Sequence, residues 1–254
     1  MLKDVLETLP QLTPGKRVVS VLSGGLDSTI VTYTLVEKYG KDNVVALSFN
    51  YGQRQTIELD KAKLTCSKLG IGHHIIDISF LGSVVEKVSA LSATGNVAMP
   101  TIEDVLGEPQ PPTYVPYRNL ILFSIGMAFA ESNEAQYVFN GLQAHDEYSY
   151  WDTTAEFTKR INSISELNRK NNVKVISPFV EFSKKEEIAV GKELKVPWVD
   201  TWTCYAGENG HGACGKCPSC SERIMNFAKA GIKDECPYEI EIPWEQLIAD
   251  NAEA

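Results

Sequence analysis

The stretch that most restricts what this chain can fold into is Ser23-Gly24-Gly25-Leu26-Asp27-Ser28, set between an apolar run over 18–22 and a helical pattern over 29–39. The order predicts a strand, a tight loop and a helix. Paired glycines let the backbone turn sharply and bring its N–H groups to a ligand without a side chain in the way. The new helix adds the positive end of its dipole, so the loop suits phosphate. A Walker loop needs a Lys before its final Ser/Thr and four residues between its glycines, and neither is present. The plainer reading is a glycine turn with Asp27 or Ser28 as helix cap.

Downstream, helical and β-rich stretches alternate. Gly40 ends the first helix, and 43–50 reads as a buried strand. The pattern over 58–69 is helical and stops at Gly70; His74 to Ile78 reads as a third strand. Over 81–112 Ser, Thr, Gly and Pro interrupt any period, which predicts a flexible loop or lid. Order returns with a helix over 119–132, a strand over 137–141, and a helix over 154–170 opened by Thr153-x-x-Glu156 as a capping box. A strand follows at 173–176, and Ser183-x-x-Glu186 caps a helix running to about Leu194. Such alternation predicts an α/β fold with a doubly wound, mostly parallel sheet. We expect an N-terminal extension over 1–16, a nucleotide-binding domain over 17–200, and a small module over 201–254. In this architecture ligands lie at the carboxyl ends of the strands where strand order reverses. Phe49-Asn50-Tyr51-Gly52-Gln53-Arg54 follows the second strand, the place for base and ribose contacts.

Of six cysteines, four form Cys204-x9-Cys214-x2-Cys217-x2-Cys220. Short spacings put neighbouring sulfurs on one side of an ion, and Cys204 closes the cage from a separate segment. Tetrahedral Zn²⁺ in a structural role is the expected occupant; an Fe–S cluster or disulfides are the alternatives. His211 is nearby, but four sulfurs leave it no vacancy. The net charge of −9 without any basic run argues against a polynucleotide partner. No apolar run reaches the roughly 20 residues of a membrane helix. The first eleven residues carry Asp4 and Glu7 and lack a long apolar core, so we expect a cytoplasmic protein.

The loop at 23–28 resembles the SGGxDS loop of the N-type ATP pyrophosphatases, matching every fixed position. With the cysteine module on the same chain, the resemblance narrows to the 7-cyano-7-deazaguanine synthase family. Phe49 to Arg54, Val115-Pro-Tyr-Arg-Asn119, Gly141 with Asp146, Ser183-Lys184 and Thr203-Cys-Tyr205 all agree with it, over about residues 17 to 225. The resemblance implies an adenine nucleotide α-hydrolase-like fold. It also implies an ATP-dependent ligase that converts 7-carboxy-7-deazaguanine and ammonia, through an adenylate and an amide, to the 7-cyano compound of queuosine biosynthesis. Homodimers, Mg²⁺ at Asp27, one Zn²⁺ per chain, and no direct nucleic-acid partner are expected with it.

By the same resemblance Ser23, Gly24, Gly25, Leu26, Asp27 and Ser28 hold the β- and γ-phosphates, with Phe49, Gln53, Arg54, Asn119, Gly141 and Lys184 completing the nucleotide site. Ser23, Asp27, Ser28, Arg118 and Lys184 are the expected catalytic residues; Arg118, Asp146, Tyr150 and Asp152 face the heterocycle. Arg118 pairs bidentately with carboxylate or phosphate, and Asn119 caps the helix that follows. Lys184 stands at a helix start, where dipole and ammonium both favour pyrophosphate. Asp152 is expected either to accept the ring N–H and exocyclic amine of the heterocycle or to cap the helix at Thr154. The chain departs from the family after Asp146: Pro, Cys and Arg of the usual pattern are Trp151, Thr153 and Thr154, and the His after Arg54 is Gln55. These changes fall beside the acceptor pocket rather than the phosphate loop. Two other readings therefore stay open: an enzyme that adenylates the same acid but joins it to another amine, as in protein modification within a defence or phage system, and a non-catalytic zinc-stabilised nucleotide-binding module.

Overall fold

The computed structural model describes residues 1–100, 110–144, 150–206 and 212–251. The chain opens with helix α1 (Leu2–Thr8), then strand β1 (Arg17–Val21), helix α2 (Leu26–Tyr39), strand β2 (Val44–Asn50), helix α3 (Ile57–Leu69) and strand β3 (Gly72–Asp77). Helix α4 (Phe80–Val85), helix α5 (Arg118–Ser132), strand β4 (Ala135–Phe139), helix α6 (Ala155–Ser165), strand β5 (Lys174–Ile176) and helix α7 (Lys184–Glu193) follow. Helices α8 (Pro218–Lys229) and α9 (Trp244–Asn251) close the described chain.

The strands form one five-stranded sheet in the order β3-β2-β1-β4-β5, and every pairing is parallel. Because side chains alternate across a strand, each strand serves two cores. Val18, Val44, Ala46 and Phe139 face one core with Ile30, Leu35 and Ile188. Val19, Val45, Leu47 and Val138 face the other with Leu122, Phe123, Phe157 and Ile161. This is the doubly wound α/β arrangement expected from the alternation. Val5 of α1, Ile224 and Phe227 of α8, and Trp244 of α9 pack into the first core, so both chain ends lie against the same face of the sheet. Strand order reverses between β1 and β4, which opens a crevice above their carboxyl ends.

Local expectations need correction in three places. Helix α4 lies inside the stretch expected to be loop: Leu81 and Val85, one turn apart, are buried, and two inward positions suffice for so short a helix. The rest of 86–100 packs on the turn after β2, with Arg54 N–H donating to the Leu91 carbonyl and Ala93 N–H to that of Gly52. Residues 101–109 lie outside the described residues. The capping box at Thr153 and Glu156 does not form: Thr154 is the cap, its Oγ1 accepting from Phe157 N–H at 3.1 Å, while Glu156 reaches along the helix to Arg160. That helix ends at Ser165 rather than near Lys170: the Leu167 and Asn168 N–H groups turn to carbonyls three residues back, those of Ile164 and Ser165, and Ser165 Oγ donates to the Val173 carbonyl at 2.6 Å. The third concerns Asn119, which does not cap α5: the cap position is Tyr117, in a left-handed conformation with φ 55°. Among the described residues no helix is long and apolar enough to cross a membrane.

Candidate active site

β1 delivers the chain to the crevice, and Leu22 N–H still bonds the Leu47 carbonyl at 2.9 Å before the backbone breaks away into the loop. Gly24 has φ 89°, and a Cβ there would sit 2.0 Å from the Glu58 carbonyl oxygen. Only glycine allows that fold-back against α3. Ser23 N–H donates to Ser28 Oγ at 3.2 Å, the Ser23 and Ser28 hydroxyls lie 2.9 Å apart, and Gly25 N–H donates to Ser23 Oγ at 3.2 Å. The two serines thus brace the loop. Helix α2 starts at Leu26, three residues before the helical pattern over 29–39, with Gly25 as a cap that offers no side-chain acceptor. Neither Asp27 nor Ser28 is the cap. Gly141, two residues past β4, abuts the same turn: a Cβ would lie 2.7 Å from Ser28 N.

Helix α7 brings a second N-terminus to this place. Its capping box forms as expected, Ser183 Oγ accepting from Glu186 N–H and the Glu186 carboxylate from Ser183 N–H. Lys184 Nζ donates to Asp27 Oδ1 at 2.7 Å, joining α7 to α2. Arg118, the first residue of α5, adds a third helix start. Its guanidinium lies 5.8 Å from the centre of the Tyr51 ring. Burial works against that charge, but Tyr51, Tyr205 and Asp152 outweigh it and hold the guanidinium firmly protonated.

These groups surround a cavity of about 310 Å³. Ser23, Gly25, Leu26, Asp27, Ser28, Gln53, Arg54, Arg118, Asn119, Gly141, Tyr150 and Lys184 line it. Gly24 stands behind the loop. Phe49 is buried in the core beneath. Asp152 is 2% exposed and stands behind the wall: Asn119 N–H donates to its Oδ2 at 3.4 Å and Asn119 Nδ2 to its carbonyl at 3.1 Å. Burial raises the pKa of Asp152, with Arg118 and the Asn119 N–H opposing. Its partner is therefore the start of α5, not the helix at Thr154. Asp146 lies outside the described residues. Trp151 Nε1 donates to Tyr114 Oη at 2.8 Å, and its ring packs edge-on against Phe157.

Glu58, in the first turn of α3, also lines the cavity and escaped the sequence reading. An acidic residue there is ordinarily a partner of the helix dipole. Burial pushes its carboxyl up to about 7, Arg118 pulling the other way.

The sulfurs of Cys204, Cys214, Cys217 and Cys220 all lie within 4.8 Å of one another. Bonds of about 2.3 Å to a tetrahedral zinc place sulfurs about 3.8 Å apart, and the pairs Cys214–Cys220 and Cys204–Cys217 stand at 3.9 and 4.0 Å. The donor set fits such an ion. Gly215, with φ 71°, turns the chain so that Lys216 and Cys217 N–H groups both point to Cys214 Sγ, at 3.4 and 3.3 Å. The cluster is wired to the phosphate loop: Trp202 Nε1 donates to the Cys204 carbonyl at 3.0 Å, and Trp202 N–H donates to the Gly24 carbonyl at 2.9 Å.

The family model for queuosine biosynthesis protein QueC matches residues 17–231. A 7-cyano-7-deazaguanine synthase of Caldicellulosiruptor bescii is 41% identical over 229 residues, 90% of this chain and 100% of its own. That of a Marinomonas species is 37% identical over 224 residues, 88% of this chain and 99% of its own. Among solved structures, the U34-tRNA thiolase NcsA from Methanococcus maripaludis with its 4Fe-4S cluster superposes with a TM-score of 0.50 at 18% identity, over 82% of this chain and 67% of that one. That likeness concerns the fold.

Proposed function

Because the chain belongs to the queuosine biosynthesis protein QueC family, we propose that it is an ATP-dependent 7-cyano-7-deazaguanine synthase, adenylating 7-carboxy-7-deazaguanine and replacing the activated oxygen with ammonia. The observation that carries the mechanism is the convergence of the α2 and α7 N-termini, joined by the Asp27–Lys184 pair, on one cavity with Arg118. A pyrophosphate leaving group meets backbone N–H groups, two helix dipoles and an ammonium there.

In the first step an oxygen of the substrate carboxylate attacks the α-phosphorus and pyrophosphate leaves. The loop over 23–28 and Lys184 hold the departing β- and γ-phosphates, with Ser23 and Ser28 fixing the loop's shape. Arg118 bridges the carboxylate and the α-phosphate, held in place by Asp152 through the start of α5. Gln53, Arg54, Asn119 and Gly141 form the wall for adenosine, and Phe49 supports it from the core. Mg²⁺, carried in on ATP, would meet one carboxylate, that of Asp27, and would neutralise phosphate charge there. Ammonia then displaces AMP to give the amide. Turning amide to nitrile removes water, so the amide oxygen needs the same activation by a second ATP, in the same site. Tyr150, hydrogen-bonded through its hydroxyl to Thr113 Oγ1 at 2.8 Å, offers a ring face for the heterocycle; Asp146, assigned to the heterocycle by the family resemblance alone, lies outside the described residues.

Zn²⁺ on the four cysteines is structural in this reading: a filled set of four thiolates leaves no open position. Residues 1–16 act as an extension, 17–200 as the ATP-pyrophosphatase domain and 201–254 as the zinc module of a cytoplasmic homodimer. The test is oxygen tracing. With ¹⁸O in the substrate carboxylate, adenylation leaves label in AMP; label in inorganic phosphate, with ADP formed, would show γ-phosphoryl transfer and refute the reading.

A further inference from the structure

The proposed amide-forming step sets a problem that phosphate-binding groups do not solve. At neutral pH the nitrogen donor arrives as ammonium, a cation that cannot attack until it loses a proton. The cationic side chains lining the cavity are Arg54, Arg118, Lys184 and Arg223. Its carboxylates are Asp27, Glu58 and Glu222. Asp27 is engaged by Lys184. Glu222 follows Cys220 by two residues on α8 and bears on Tyr205. Glu58 differs from both: among the described residues no hydrogen bond or ion pair reaches its carboxylate.

The position of Glu58 follows from the phosphate loop. Its backbone carbonyl is the atom against which Gly24 folds, so the first turn of α3 is packed directly on the loop that carries the nucleotide. The charged and titratable groups that act on Glu58 are Arg118 from α5, Tyr51 from the turn after β2, and Tyr205 from the segment after Cys204. Arg118 is the residue expected to hold the acyl phosphate. Glu58 and Arg118 both line the cavity, so the carboxylate shares it with the guanidinium expected to hold the acyl phosphate.

Resting on the adenylation reading, we infer that Glu58 binds the ammonium ion in the cavity and accepts its proton, delivering neutral ammonia to the acyl-adenylate. The nitrogen lone pair then adds to the acyl carbon, the carbon–oxygen bond to AMP breaks, AMP leaves with that oxygen, and the second excess proton passes to solvent. The shift of Glu58 to about 7 fits such a group: it is ionised enough at neutral pH to attract ammonium and basic enough to take a proton.

The experiment compares wild type with Glu58→Gln in two assays. Substrate-dependent exchange of labelled pyrophosphate into ATP, without ammonium, reads adenylation alone; amide formation is then followed against ammonium concentration and pH. The expected result is that amide formation from ammonium falls at least 100-fold further than exchange does, while hydroxylamine, already unprotonated at neutral pH, restores most of the loss. In the wild type, the rate with ammonium should rise through an inflection near pH 7 that is missing with hydroxylamine, a result independent of how the variant folds. Equal losses in exchange and amide formation, or the same inflection with both amines, overturn the ammonium site and leave adenylation standing. A wild type without exchange overturns the adenylation reading and this inference with it.

Discussion

The packing of the phosphate loop on α3 makes a measurable demand at Gly24. Gly24→Ala puts a Cβ 2.0 Å from the Glu58 carbonyl oxygen and 3.0 Å from Ala62 N, at φ 89°. The left-handed backbone costs an L-residue about 1–2 kcal/mol, and forcing a methyl into a packed contact costs about 1–3 kcal/mol more. Loss of about 2–5 kcal/mol in a chain of this size lowers the melting temperature by roughly 10 °C. Two other glycines separate the contributions. Gly40, with φ 79°, ψ 148° and nothing within 4 Å of a Cβ, isolates a positive-φ backbone cost; Gly40→Ala should lose about 1–3 kcal/mol and keep full activity. Gly141, with an ordinary φ but a Cβ 2.7 Å from Ser28 N, isolates the contact. Gly141→Ala should fold with a modest loss yet turn over about 10²-fold more slowly, since a displacement of about 1 Å at the reacting groups has that effect. Thermal unfolding of the three variants, paired with pyrophosphate exchange, checks the series. If Gly24→Ala melts no lower than Gly40→Ala, the loop does not rest on α3 as described.

Asp27→Ala should leave the fold intact and cut adenylation by about 10² or more, because Asp27 faces the cavity and positions Lys184; near-normal pyrophosphate exchange would remove it from the site. Elemental analysis should find one zinc per chain, and Cys217→Ser or chelation should lower the melting temperature, since structural zinc contributes folding free energy; metal-free protein of equal stability contradicts this. Asp152→Asn should raise the KM for the carboxylate substrate with little change for ATP and destabilise by about 1–3 kcal/mol, because the buried charge that steadies Arg118 and the start of α5 is lost. A silent variant would return Asp152 to a passive role.

What was legible in the sequence was what local chemistry specifies. The loop at 23–28, the cysteine spacings and the Ser183–Glu186 box each contain their own geometric requirement, and each appears where its residues put it. The errors arose where two equivalent residues compete or where the partner is distant in the chain. Thr153 and Thr154 are both sound caps; Thr153 is taken up in the short 3-10 turn Trp151–Thr153, which leaves Thr154 at the extended position from which its Oγ1 accepts from Phe157 N–H. The partner of Asp152 is Asn119, which the fold brings alongside from a separate element. Helix α4 has too few inward residues to show a period. Glu58 was hidden by an ordinary local explanation: any carboxylate in a first helical turn complements the dipole, and only the packing of α3 on Gly24 reveals which way this one faces.

The central claim is that this site activates the carboxylate of a deazaguanine and ends in a nitrile despite the altered segment around Trp151, Thr153 and Thr154. Mass spectrometry of the products from 7-carboxy-7-deazaguanine, ATP, Mg²⁺ and ammonium tests it most directly. The account predicts the 7-cyano compound, accompanied by AMP and pyrophosphate. Accumulation of the amide with no nitrile would show instead that the enzyme stops at the amide, and an unchanged substrate with no AMP would contradict the account at its base.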